Sequence, residues 1–280
     1  MAVILKGEPV AQAIDRRTVD AVRALRAAPT LAILRVGQRA DDMSYEKAAM
    51  KRCAMTGVKV RSVALPADVD SDGFFEALEL LNGDDGVHGI LMFRPLPGHI
   101  DGERARKSIR LQKDVDGCTD GSLGGVFANT PLGFAPCTAQ AVVEMLEYYG
   151  LDCAGKRAAV IGRSLVVGRP VAMLLMHRNA TVTVCHTGTK DTPEIVRAAD
   201  IVVACSGRTE TLGAEYFRPG QAVIDVGIGW SAEKQRLCGD VIFDEAEPVV
   251  AAISPVPGGV GSVTASVLAA HVAEAARQAI

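Results

Sequence analysis

Aromatic side chains make up only 4% of the 280 residues, with a single tryptophan, so an aromatic among polar residues is more informative here than in an average chain. No apolar run approaches the length of a bilayer span. The first residues, Met1 to Lys6 followed by Gly7-Glu8-Pro9, also lack a charged segment leading into an apolar one. The expectation is a cytoplasmic protein with no membrane partner. Positive charge is not in excess: 30 Lys and Arg against 33 Asp and Glu give a net charge of −3. That disfavours a nucleic-acid partner held by a general basic field and favours a small molecule. The seven cysteines (Cys53, Cys118, Cys137, Cys153, Cys185, Cys205 and Cys238) include no C-x-x-C pair. An odd, scattered set suits neither a disulfide framework nor a zinc site, so the cysteines read as small buried hydrophobes and no metal is expected. Short repeats and low-complexity segments are also missing.

What is present is a globular composition, 49% hydrophobic and 22% charged, in a chain long enough for two domains or one large α/β unit. Apolar residues at helical spacing over 9–28 are followed by a buried strand over 31–37. A helix then starts near Asp41 and closes at Gly57, a strand covers 58–65, Ser71 can cap a helix to Leu81, and a strand covers 88–93. This alternation implies a parallel sheet, with ligands beyond the carboxyl ends of the strands: after Gly37, after Phe93, and around Asp114-Val115-Asp116-Gly117. One X-Pro bond in Arg94-Pro95-Leu96-Pro97 is a candidate for cis. A loop over 131–138 precedes a helix capped by Thr138, the candidate domain crossing. A second series follows, with strands over 157–162, 181–185, 201–205 and 222–227 and a closing helix over 264–279. Its first strand runs into Gly162-Arg163-Ser164 and, six residues after Gly162, Gly168-Arg169-Pro170. Such a turn between strand and helix suits a phosphate, although the glycine spacing is not the usual dinucleotide fingerprint and a tight turn with no ligand is the alternative.

Several motifs occur in one order: Val36-Gly37 and Ser44-Tyr45; Pro95-Leu96-Pro97; Lys113-Asp114-Val115-Asp116-Gly117; Pro136-Cys137-Thr138; Gly162-Arg163-Ser164 with Val167-Gly168-Arg169-Pro170; Cys185-His186; Val223-Ile224-Asp225-Val226-Gly227; Gly239-Asp240-Val241; and Pro255-Val256-Pro257-Gly258-Gly259-Val260-Gly261. Together they resemble the methylenetetrahydrofolate dehydrogenase/cyclohydrolase family over nearly the whole chain. The resemblance implies two α/β domains, the second a Rossmann-like dinucleotide-binding domain, with a C-terminal helix returning to the first. The boundaries expected are 1–138 plus 263–280 for the folate-binding catalytic domain and 139–262 for the NAD(P)-binding domain. It also implies a homodimer, hydride transfer from 5,10-methylenetetrahydrofolate to NADP or NAD, and, in most members, hydrolysis of the methenyl product to 10-formyltetrahydrofolate. Tyr45 and Asp116 are the expected catalytic and substrate-binding residues, with Pro257, Gly258 and Gly259 also at the substrate. Gly162, Arg163, Ser164, Gly168, His186, Thr187 and Ile228 are expected at the cofactor. For Asp116 the residues alone leave open a turn-forming aspartate, for Tyr45 a half-buried helix aromatic, and for Pro257-Gly258-Gly259 a plain loop.

The chain departs from the family where the cyclohydrolase lysine stands, one helical turn after the tyrosine at i+4. Here that position is Ala49. Lys47 points roughly 200° around the helix from Tyr45, and Lys51, at i+6, is also off the face. The family's glutamine before Leu-Pro-Leu-Pro is replaced too, the corresponding residues being Phe93 and Arg94. Loss of a proton-transfer group costs about 10² to 10⁴ in rate, so hydrolysis is expected weak or absent. Hydride transfer needs no side-chain acid or base. The alternatives are hydrolysis through Arg94, Lys47 or a relocated lysine, a non-catalytic folate or nucleotide binder, and another two-domain dehydrogenase. The strand ending at Cys185 is followed by no acid until Asp191, while Arg163 and Lys190 are available to a 2′-phosphate, which leans toward NADP.

Overall fold

The computed structural model describes residues 1–279, which form two compact units. One unit comprises Gln12–Cys137 with the residues from Ala265 onward; the other comprises Met1–Ala11 with Thr138–Thr264.

In the first of these, Thr30–Val36 is the central strand, paired in parallel with Lys59–Leu65 on one side and Gly89–Met92 on the other. Leu31, Ala32, Ile33 and Leu34 are fully buried, as a strand covered on both faces requires. The helix Ala40–Thr56 ends at Gly57, whose φ of 81° is the left-handed cap expected of that glycine. Two ion pairs with little exposure fasten this helix: Arg52 to Asp15 at 2.7 Å and Arg35 to Glu46 at 2.8 Å. Glu46 also accepts the Ser62 hydroxyl from the edge strand. They set the rotation of the helix, and so the face carrying Tyr45 and Ala49.

Capping differs from expectation at two places. Asp70, not Ser71, caps Ser71–Gly83 by accepting the Gly73 N–H at 2.8 Å, because the cap is the extended residue just outside the helix. Thr138 lies inside the helix Cys137–Tyr148 rather than before it. The short helices Gly102–Ser108 and Asp120–Ala128 had no readable apolar period. The closing helix Gly261–Gln278 starts in one unit and carries Val272 and His271 into the other. There a Cβ on Gly89 would stand 2.7 Å from the Val115 methyls and 3.1 Å from Val272, so only glycine admits this contact.

In the other unit six strands pair in parallel, in the order Val3–Ile4, Ala252–Ile253, Ala222–Asp225, Ile201–Ala204, Arg157–Ile161, Thr181–Cys185. The chain leaves Arg157–Ile161 to one side and then returns to the other, a topological switch whose crevice suits a dinucleotide. Residues 1–11 cluster with this unit, where Val3 and Ile4 pair with Ala252 and Ile253 and extend its sheet.

Two buried carboxylates brace the far ends of these strands. Asp225 accepts the N–H groups of Gly227, Asp240 and Val241 at 3.0, 3.1 and 2.9 Å. Burial nevertheless pushes its carboxyl up to about 7, with Asp240 adding to the rise. The folded chain therefore holds a proton that an unfolded aspartate has released, so stability falls as pH rises from about 4 to about 7. Asp225→Asn removes that dependence. Thermal unfolding between pH 5 and 8 should show the wild type losing stability with rising pH relative to the variant; parallel curves would contradict the assignment.

Candidate active site

The folate side of the expected site lies in the unit built on Thr30–Val36, where the structure brings Tyr45, Phe93, Arg94, Asp116 and Cys137 together. Tyr45 projects from the second turn of its helix, half-buried, with its ring edge-to-face against Phe93 at 5.8 Å. Burial raises its phenol well above the usual tyrosine value, and Asp116, Cys137 and Cys53 add to the shift, so the hydroxyl stays neutral. Phe93 directly follows the strand Gly89–Met92, and its N–H bonds Leu34 O at 3.0 Å. Arg94 comes next, with a cis bond to Pro95.

The Asp-Val-Asp-Gly segment separates the roles of its two carboxylates. Asp114 is fully buried and makes the turn, accepting the N–H groups of Cys118 at 2.9 Å and Thr119 at 2.7 Å. Gly117, at φ 68°, passes so close to Phe134 O that a Cβ would stand 2.5 Å from it. Asp116 is thereby left out of the turn network, its side chain 23% exposed and 3.6 Å from the Arg94 guanidinium. Burial pushes its carboxyl up to about 6; Arg94 pulls down, Asp114 pushes up, and Cys137 hydrogen-bonds it. Behind this group Val115 O accepts from the Cys137 thiol at 3.2 Å and from His271 Nδ1 at 2.9 Å, and the His271 ring stacks on Phe134. The spacing Tyr45 to Ala49 puts both on one helical face, and Ala49 is fully buried. Lys47 and Lys51 are both exposed.

In the other unit a cleft of about 370 Å³ lies at the switch point, lined by Gly162 and Arg163, His186 and Thr187, and Ser206 and Arg208. These follow three neighbouring strands. The turn demands its glycines: Gly162 has φ 131° with Cys205 O 2.3 Å from where a Cβ would be, and Gly168 backs onto Gly162 O. His186 Nδ1 accepts the Gly188 N–H at 3.1 Å, so the neutral ring carries its proton on Nε2, as a donor. Glycine-lined backbone with Arg163, Arg208 and His186 fits a phosphate-bearing dinucleotide.

Two expected cofactor residues have other surroundings. The Ser164 hydroxyl accepts from Val167 and Gly168 N–H at 3.1 and 3.4 Å, holding the turn itself. Ile228 is 66% exposed and is not among the residues lining the cleft. Pro257 and Gly258 are exposed at the loop tip, where Gly258 has φ 100° and open space beside it. Gly259 is required internally, since a Cβ would meet Pro255 O at 2.5 Å. Arg208 was missed because it follows Gly207 in a loop with no pattern. Asp240, which the sequence marks only as part of Gly239-Asp240-Val241, holds Ser206 and Gly207 through its Oδ2, next to Arg208.

The tetrahydrofolate dehydrogenase/cyclohydrolase catalytic-domain model matches residues 5–116, and the NAD(P)-binding-domain model of the same family matches 136–280. The bifunctional FolD protein of Carboxydothermus hydrogenoformans is 48% identical, with 98% of this chain and 97% of that protein covered. The corresponding protein of Alkaliphilus oremlandii is 42% identical over 99% and 98%. Among solved structures, the bifunctional FolD enzyme of Campylobacter jejuni superimposes with a TM-score of 0.96 at 34% identity, each chain covered fully. The Trypanosoma brucei FolD enzyme complexed with NADP cofactor and inhibitor gives 0.92 at 37% identity, covering 99% and 98%. The chain belongs to the tetrahydrofolate dehydrogenase/cyclohydrolase family.

Proposed function

We propose that the chain is an NADP-linked 5,10-methylenetetrahydrofolate dehydrogenase whose hydrolysis of the methenyl product is weak or absent. The observation that carries this reading is that Ala49 and Phe93, both buried and apolar, stand where the resemblance places the lysine and its glutamine partner. Asp116 accepts the adjacent N–H donors of the substrate's pterin ring in a charge-assisted pair. Tyr45 offers a neutral, half-buried face to the aminobenzoyl ring, and the loop Pro257 to Gly259 lets backbone approach a flat ligand. The nicotinamide cofactor, when bound, supplies the hydride acceptor. No side chain has to move a proton in that step, because the substrate nitrogen lone pair drives hydride out and the product is a cation.

Hydrolysis is different, since water must lose a proton as it attacks. A lysine with a hydrogen-bonding neighbour meets that need; a fully buried alanine and a phenylalanine 8% exposed do not. Arg94 is no substitute, because a guanidinium does not deprotonate in proteins. The FolD names of the relatives keep the bifunctional reading as the alternative.

Two assays on one preparation test this. Protein with methylenetetrahydrofolate should reduce NADP, while supplied methenyltetrahydrofolate should decay at its protein-free rate. Because an ammonium at position 49 would need a polar neighbour, the double variant Ala49→Lys with Phe93→Gln should gain hydrolysis by about 10² or more, and Ala49→Lys alone should gain less. Robust wild-type hydrolysis would overturn the reading.

Cofactor choice is tested separately. Arg163→Ala should raise KM for NADP by about 10- to 100-fold, the worth of a charged hydrogen bond to phosphate, and leave KM for NAD nearly unchanged. An equal effect on both would remove Arg163 from the 2′-phosphate.

A further inference from the structure

We propose that Arg94 is a positioning residue for the folate site, holding the Asp116 side chain as an oriented carboxylate so that both its oxygens can accept the substrate's ring N–H donors. This rests on the assignment of Asp116 to the pterin. Asp116 sits where the Arg94 charge and a Cys137 hydrogen bond favour its ionised form and desolvation and Asp114 oppose it. Desolvation and the buried Asp114 push toward the neutral acid. The neighbouring Tyr45, Cys118 and Cys137 carry no positive charge, and His271 lies behind Cys137 with its Nδ1 bonded to Val115 O. Arg94 is the cation facing the carboxylate, at 3.6 Å, with the two side chains 27% and 23% exposed.

That distance is within the reach of an ion pair but outside a hydrogen bond, so Arg94 itself occupies no lone pair that a ligand would need. A protonated Asp116 would present one O–H donor where the pterin also presents donors, and binding would be lost. The guanidinium keeps its charge at every pH at which the enzyme folds, which makes it a constant bias and not a titrating partner. Its backbone is anchored on both sides, by Phe93 N–H to Leu34 O and by Arg39 donating to Pro95 O at 3.2 Å.

The test is the pH dependence of kcat/KM for methylenetetrahydrofolate at saturating NADP, where the acid limb reports Asp116 in the folate-free enzyme. In the wild type that limb should fall near pH 6, where burial places the Asp116 carboxyl. Arg94→Met should move it upward by about one unit or more, and Arg94→Lys should restore most of the shift. A merely structural Arg94 would lower kcat or the melting temperature and leave the limb in place, and that result overturns the proposal. Asp116→Asn separates the two layers: near wild-type kcat/KM in that variant would remove Asp116 from the substrate, whatever Arg94 does. Loss of activity there, combined with an unmoved limb in Arg94→Met, would sink the role of Arg94 alone. If Arg94→Met does not fold, Arg94→Gln carries the same comparison.

Discussion

The site depends on keeping a negative charge in a place that water has largely left. Desolvation alone drives a carboxyl toward its neutral form, and Asp116 shows that drive in its raised value near 6. Its counterweight is a guanidinium delivered by the residue that follows the strand end. The turn around Asp116 is built by a different aspartate, Asp114, whose oxygens are taken by backbone N–H groups. This division frees Asp116 for a ligand, and the same economy recurs in the other unit. There Asp225 gives its oxygens to backbone N–H groups and Asp240 gives Oδ2 to Ser206 and Gly207, while Arg163, His186 and Arg208 face the cleft.

Ala49 is not an isolated gap in this arrangement. It is fully buried, Phe93 packs edge-to-face on Tyr45, and the positive charge of this wall stands at Arg94. The helix carrying Tyr45 is clamped by Arg35–Glu46 and Asp15–Arg52, so its register toward the site is fixed by buried charge pairs and not by loose packing. A site so walled suits a step that needs orientation and a neutral phenol.

Much of the fold was legible because strand and helix periods are local. The buried run Leu31–Leu34, the Gly57 cap and the second strand series all stand where spacing puts them. The pairing of Val3–Ile4 with the six-stranded sheet was not legible because a two-residue strand has no period, and its partner, Ala252–Ile253, is far away in sequence. Asp-Val-Asp-Gly suits a turn or a ligand equally, and only burial tells Asp114 from Asp116. The Arg94–Asp116 pair and the Arg208 contribution arise from loops brought together by strand order, which leaves no mark in either segment. Ile228 was expected at the cofactor from the resemblance alone, and its side chain is 66% exposed.

The most direct measurement of the central claim is the product balance of a single reaction. Purified protein is given methylenetetrahydrofolate and NADP, and reduced cofactor, methenyltetrahydrofolate and 10-formyltetrahydrofolate are followed together against a protein-free control. The account predicts methenyltetrahydrofolate accumulating in step with reduced cofactor and disappearing only at the control rate. Prompt conversion to 10-formyltetrahydrofolate as cofactor is reduced would contradict it.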